Sequence, residues 1–446
     1  MRTTVLILAI AACGAREPAA RDAEAPDTSG ELDAAALPSY GERCGNAIDD
    51  DGDGLADEDC TPRLFAGVYA PGVATDPALA AIEGATQRPL AVLQTYHSLS
   101  AQGIARTPPD LAAIFARGQV AHLNVEPSGY SAQQYAAPAT APLATDLAAM
   151  AAAIAGALEA APHGRVLLTF GAEMNGSWTD WGCLPAVQFV ALYRAFHDRV
   201  RDALATRAID PRRVRWAYGP NATSSAGCGS AAGYYPGHAY VDLLGMSAYR
   251  SGIDSVATSI TAPMAQLFAA LAYPAAWQRA RFVVLQTGTR TVAGDDRDAW
   301  ITGLVTTLTA DARVAGLVYF DAADWGVPTD GAGWAGLVAS IGAAPVADRG
   351  LDATFLPHFW DVAYGDPGFA EIQALRDAGV TSGCATAPAR FCPDDMLDAS
   401  AAQALLARAF PTGAPTAMIE ALAAPMTRAQ AAVVIAHGAG LAPADL

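Results

Sequence analysis

The chain has 446 residues and a formal net charge of −18, and all of its basic side chains are arginine because lysine is absent. No basic patch offers itself to a nucleic acid, and chemistry that needs a lysine, such as a Schiff base or a phosphate-binding P-loop, is excluded. The length suffices for one large core with accessory modules, although much of the 52% hydrophobic content is alanine.

At the N-terminus Arg2 precedes an apolar run from Val5 to Ala12 that is too short to span a membrane. It ends in Ile10-Ala11-Ala12-Cys13. Small residues directly before a cysteine resemble a bacterial lipoprotein box, which implies lipidation of Cys13 and a secreted protein held at the outer face of the cell envelope. The alternative is an ordinary cleaved export signal. A lipid would be the only tie to a membrane. Residues 14–43 are rich in Ala, Glu, Asp and Pro without periodicity and read as a solvated tether.

Six further cysteines fall into three neighbourhoods: Cys44 with Cys60, Cys183 with Cys228, and Cys384 with Cys392. Three local disulfides are expected, and the spacings suit no zinc site. Between the first pair, Asp49, Asp51 and Asp53 alternate before Gly54, and Asp57 follows. The order matches the first nine positions of an EF-hand-type calcium loop, but the twelfth position is Cys60 instead of a bidentate glutamate. A weak Ca2+ site competes here with a solvated acidic spacer. No cofactor is expected for catalysis.

From 64 to about 342, apolar strand-like runs alternate with alanine-rich helical stretches. Strands are expected at 65–69, 90–95, 120–125, 166–170, 214–218, 243–247, 282–285 and 317–320. Helices are expected at 143–161, 187–207, 264–273 and 300–312. Eight strands separated by helices over this length predict an α/β fold, a parallel (β/α)8 TIM barrel. Its site should lie where the strands end, and chemistry-bearing residues do follow them: Glu126, Glu173, Asn221, Tyr249, Gln286, Asp321 and Trp325.

The most informative stretch is Val166 to Gly182, VLLTFGAEMNGSWTDWG. A buried strand runs directly into Glu173, Asn175, Trp178 and Trp181. Carboxyls do acid–base work on glycosides, amides bond hydroxyls, and indole faces pack on the apolar face of a pyranose. A core strand followed by a loop with core tryptophans is the bland alternative. With Tyr249, Trp325 and Glu126, these residues form the candidate sugar-binding set, of which at least one aromatic is expected in the core.

Together with Phe65-Ala-Gly67-Val-Tyr69, His122-Leu-Asn-Val-Glu126-Pro127, Tyr235-Pro236-Gly237-His-Ala-Tyr240-Val241-Asp242 and Gln286-Thr287-Gly288, this stretch resembles glycoside hydrolase family 26, whose members are chiefly retaining endo-β-1,4-mannanases on (β/α)8 barrels. The resemblance covers roughly 64–342 and places the general acid/base on Glu173. The family's nucleophile, in a Glu-x-Gly segment of the seventh strand, falls on Gln286. The histidine before the acid/base is replaced by Ala172, and Ser247 stands where the sixth strand often carries an acid. A neutral amide offers neither a nucleophile nor charge to an oxocarbenium-like transition state. The resemblance, with these losses, implies a β-glycan (mannan-type) recognising protein with impaired catalysis. An active endo-β-mannanase-like hydrolase with another carboxylate, Glu126 or Asp321, is the alternative, and a structural envelope protein is a third.

After a linker at 343–352, residues 353–446 change character. Phe359-Trp-Asp361-Val362, Ile372 to Cys384, and Met426-Thr427-Arg428-Ala429-Gln430 resemble an S-layer homology module. The resemblance implies a small helical unit that either binds cell-wall glycan, with Arg428 as the residue to test, or serves as a purely structural cap.

Overall fold

The computed structural model describes residues 64–72, 75–271, 282–311, 313–343, 346–347, 359, 361–362, 368–386 and 389–441. The expectations on Cys13, the tether, Cys44, Cys60 and the acidic loop of Asp49, Asp51, Asp53 and Asp57 lie outside the described residues.

Eight parallel strands close on themselves. They are β1 (Leu64–Tyr69), β2 (Val92–Ser98), β3 (Val120–Glu126), β4 (Val166–Phe170), β5 (Val214–Tyr218), β6 (Leu243–Arg250), β7 (Phe282–Thr289) and β8 (Val314–Phe320). Closure is made by β1, which pairs with β2 on one side (Gly67 with Val92) and β8 on the other (Gly67 with Val318). The expected (β/α)8 barrel is thus the fold. Because helices cover the outer face and side chains fill the inside, the strands are buried on both sides, and β4 has no exposed residue. Phe65, Val92, Val120, Leu167, Leu243, Val283 and Val318 plug the axis.

Helices α1 (Pro77–Thr86), α2 (Ala101–Ala116), α3 (Leu143–Ala160), α4 (Ala186–Thr206), α5 (Ala262–Ala270), α6 (Arg297–Thr309) and α7 (Trp334–Ile341) form the outer layer. Their starts are written locally. Asp76 accepts from the Ala78 N–H with Pro77 at the first turn, Ser100 caps α2 through Gly103, and Asp296 caps α6 through Ala299. In α4 the buried Phe189, Leu192, Tyr193, Phe196, Val200 and Leu204 recur at three- and four-residue steps, giving one apolar stripe on the barrel. Helix α3 is apolar and long enough to cross a membrane, but its Leu147, Met150, Ile154 and Leu158 are buried in the core.

Between β5 and β6 the connection departs from the helical pattern. It holds only two short 3-10 turns, Ala231–Tyr234 and His238–Tyr240. In addition, β6 and β7 shift register between Met246 and Ser247, which brings Ser247 opposite Gln286. An irregularity of this kind re-aims side chains, and here it sits at the mouth of the barrel.

The C-terminal residues form a unit with its own apolar core of Phe359, Val362, Ile372, Leu375, Val380, Phe391, Leu405, Ala429 and Ile435. It comprises α8 (Phe369–Asp377), α9 (Ala399–Ala409), α10 (Thr416–Ala421), α11 (Arg428–Gly438) and a two-residue antiparallel pair. The Asp361 carboxylate, 2% exposed, accepts from the Phe391 and Cys392 N–H groups at 2.7 Å each. Cys392 is disulfide-bonded to Cys384, as expected. The TRAQ segment is explained by helix-start chemistry. Thr427 and Gln430 form a reciprocal capping box on α11.

Candidate active site

The loop after β4 turns sharply. Gly171 (φ 57°) and Glu173 (φ 60°) both take left-handed backbone, and for glutamate that is a strained choice. The turn is pinned by the Glu173 N–H to the Gly219 carbonyl at 2.8 Å, so the ends of β4 and β5 hold the carboxyl over the barrel mouth. Trp178 folds back and donates its indole N–H to Glu173 Oε2 at 2.6 Å. That fold requires Gly176, since a Cβ there would lie 2.3 Å from Trp178 Cζ2. Gly182 is required as well, because its Cβ would lie 1.9 Å from the Gly176 carbonyl oxygen. The two glycines of the motif exist to bring an indole onto a carboxyl.

Burial pushes the Glu173 carboxyl above the ordinary carboxylate range. The Trp178 indole N–H, together with the nearby Ser247 and Asn221 side chains, favours the charged form and moderates the shift. A carboxyl whose proton is retained by desolvation is suited to donate it to a leaving oxygen. The sign for stability follows. Glu173 stabilises the fold fully below its unfolded value near 4.5, and that contribution is lost as pH rises through the elevated folded value. Glu173→Gln is therefore expected to melt higher than the wild type at pH 7, with the difference closing below about pH 4.5. Melting curves of both proteins from pH 3.5 to 8 check it, and a gap independent of pH contradicts it.

Gln286 lies across the mouth on β7, 5% exposed, and its Oε1 accepts from the Tyr249 hydroxyl at 3.1 Å. Two links bring it to Glu173. Ser247 is its register partner and lies near enough to the Glu173 carboxyl to favour its charged form, and Tyr249 has its hydroxyl ionisation disfavoured by burial and then by the Glu173 charge. Positions 173 and 286 thus share one site.

The rim is aromatic. Tyr69 stacks on Phe320 at 4.8 Å and meets Tyr96 edge-on at 4.9 Å, and Tyr249 packs on Trp325 at 4.6 Å. Trp178 is 56% exposed and offers an open face.

Several expected roles change. Trp181 is 5% exposed, belongs to the main core, and donates its N–H to the Ala172 carbonyl; it supports the loop and presents no platform. Asn175 is fully buried, with its amide bonded to Asn221 O, Ser224 Oγ and Asn221 N. Both of its N–H donors are taken and no surface is left for a substrate hydroxyl, so its work is to tie the loop after β4 to the loop after β5. Trp325 is half-buried between Tyr249 and the Arg290 guanidinium, which sits 4.5 Å from the ring centre. Arg428 donates to the Phe391 carbonyl at 2.8 Å and lies over the Phe391 ring, so this expected wall contact is committed to its own module. The expected Cys183–Cys228 disulfide is present and joins the same two loops as Asn175.

Of the barrel's glutamates, Glu83 bonds Arg117, Gln119 and the Leu90 N–H at the opposite end of the strands, and Glu159 pairs with Arg207. Asp321 accepts from the Val327 N–H through Oδ1 at 2.6 Å. Glu126 remains at the mouth, its carboxyl raised by burial. Sequence reading missed Tyr96 and Asn124, in-register neighbours on β2 and β3 whose polar atoms are buried beneath the mouth. A polar residue at every second position toward the end of an inner strand was the available signal.

No curated protein matches the chain. Among solved structures, a modular endo-β-1,4-mannanase from Cellulomonas fimi aligns with a TM-score of 0.51 at 17% identity, covering 68% of this chain and 74% of that one. A double mutant of a Cellulomonas fimi endo-β-1,4-mannanase aligns at 0.50 and 17%, covering 65% and 72%. A Bacillus subtilis mannanase aligns at 0.48 and 18%, covering 65% and 88%. At these identities the likeness concerns the barrel. The family model described as glycosyl hydrolase family 26 matches residues 136–280, a segment that contains Glu173 and its loop, so the chain carries on a (β/α)8 barrel the acid-bearing part of a glycosyl hydrolase family 26 pattern.

Proposed function

We propose that the barrel binds a β-mannan-type glycan at its mouth without turning it over efficiently, and that the protein acts at the outer face of the envelope, where lipidation of Cys13 would hold it. The observation that carries the reading is the pairing of Glu173, a buried carboxyl that accepts from an indole, with an amide at 286 held by Tyr249. Retaining hydrolysis needs two carboxyls about 5–5.5 Å apart. Among the described residues the second is absent from that position. The family pattern matches up to residue 280 and ends before Gln286. The titratable aromatic rim and the open Trp178 face supply what a neutral pyranose needs: apolar area and hydroxyl partners.

Titration calorimetry with linear manno-oligosaccharides tests binding. Saturable binding is expected, and Trp178→Ala should weaken it by roughly 3–10-fold, the worth of one aromatic contact. No binding by the wild type overturns the proposal.

One observation favours the active alternative. Glu126 ends β3 and Glu173 follows the adjacent parallel strand β4, so both carboxyls are carried at the same end of the barrel. Inverting hydrolysis needs such a pair with space for a water between them. Reducing-sugar release by the wild type that is lost in Glu126→Gln would replace the binding-only reading with this one.

A further inference from the structure

Because the connection from β5 to β6 carries no α-helix, the barrel wall beside β6 is left open. A cavity of about 740 Å³ lies there, between the loop after β5 and helix α5. This is within the 300–1,000 Å³ range of small-molecule sites.

Its chemistry is uniform. In a chain of net charge −18, none of the described residues lining the cavity is charged. Thr223, Ser224, Ser230 and Thr258 supply hydroxyls, Asn221 and Gln266 supply amides, and Met246 with Leu267 gives an apolar floor. Hydroxyls and amides both donate and accept. A wall of this kind suits a neutral polyhydroxylated ring with one apolar face. It disfavours ions, for which no counter-charge is present.

The cavity is next to the candidate active site. Asn221 lines it, bridges Ser247 on β6, and is a polar neighbour that favours the charged form of the Glu173 carboxyl. Ser224, another lining residue, accepts from the Asn175 amide. The wall between cavity and acid is therefore the Asn175–Asn221–Ser224 network, and Cys228 of the disulfide anchors the same loop to the loop after β4.

We propose that this cavity is a second site that takes a neutral hexose unit, either as a branch of the glycan held at the mouth or as a free sugar. The branch form rests on the function proposed above, and the free-sugar form does not. A ring in the cavity touches Asn221, so its occupancy bears on the loop after β5, whose Gly219 carbonyl pins the Glu173 N–H.

The test uses the full chain labelled at methionine methyls, with the Met246 signal assigned by Met246→Leu. Linear manno-oligosaccharides, α-galactosyl-branched ones of equal backbone length, and free mannose, galactose and glucuronate are titrated separately. A saturable Met246 shift with the branched but not the linear chain assigns the branch source. A shift with the free neutral hexoses assigns the free-sugar source, and glucuronate should give none. Ala262→Trp, at an exposed lining position at the start of α5, should abolish the Met246 response and any affinity gain from branching, tenfold or more, while linear-chain binding stays unchanged. A Met246 signal unmoved by the branched chain and by both neutral hexoses overturns the proposal, as does a response equally strong to glucuronate. If linear chains fail to bind yet free hexoses move Met246, the function proposed for the mouth fails and this site stands.

Discussion

Gln286→Glu is expected to release reducing sugar from linear manno-oligosaccharides at least about 10²-fold faster than the wild type, the lower bound for recruiting one positioned catalytic group. The substitution is nearly isosteric, and the Tyr249 hydroxyl that now donates to the amide oxygen at 3.1 Å would donate equally to a carboxylate. Glu173 already carries the features of an acid, with burial holding its proton and Trp178 orienting one oxygen. What the wild type lacks is a group that can attack the anomeric carbon. The gained reaction should proceed with retention, which the anomeric form of the first product reports by NMR, and adding Glu173→Gln should abolish it. A variant that binds as well as the wild type but releases nothing would show that position 286 does not face the scissile bond.

The second large effect concerns Arg250 and Asp295. Arg250 ends β6, next to Tyr249, and its guanidinium is held by both oxygens of Asp295, with side chains only 6% and 9% exposed. Its Nε also bonds the Asp254 carbonyl at 2.8 Å. Removing one partner leaves a buried charge without compensation, which costs about 3–5 kcal/mol. Arg250→Ala should therefore lower the melting temperature by roughly 5–9 °C, at about 2.1 cal/mol/K of unfolding entropy per residue over a barrel of about 280 residues. Arg250→Met with Asp295→Leu should recover most of the loss, because well-packed apolar side chains avoid the desolvation that the ion pair must offset. Thermal denaturation of the single and double variants decides it. A single variant within 2 °C of the wild type, on the order of the shift from under 1 kcal/mol, would mean that solvent reaches the pair.

The barrel was legible because its signal is local and repeated. Short apolar runs bounded by alanine-rich amphipathic stretches need only neighbouring residues to be recognised, and 166–170 and 214–218 coincide with β4 and β5. Strand ends were less legible. β2 runs on to Ser98 and β7 to Thr289, past the apolar residues, because ladder hydrogen bonds continue where side chains turn polar. Tyr96 was missed for that reason.

Residue types in one motif also hid different environments. Trp178 and Trp181 are three positions apart in a single loop, yet one is 56% exposed on a carboxyl and the other 5% exposed in the core. Asn175 has the right chemistry for a hydroxyl, but it is fully buried and the loop after β5 takes both of its donors. Spacing along the chain cannot distinguish these cases, since burial decides between the two indoles and the partners of Asn175 come from residues 221 and 224.

The amino-acid order by itself determined the number and order of the strands, the acid at 173, the amide at 286 and the pairing of Cys183 with Cys228, all of which depend on which residue stands where. Only the tertiary structure decided which side chains face the mouth, how strongly Glu173 is desolvated, and that a cavity opens where β5 and β6 lack a helix. Those properties depend on contacts between segments far apart in sequence, and burial and hydrogen-bond partners exist only once the barrel has closed.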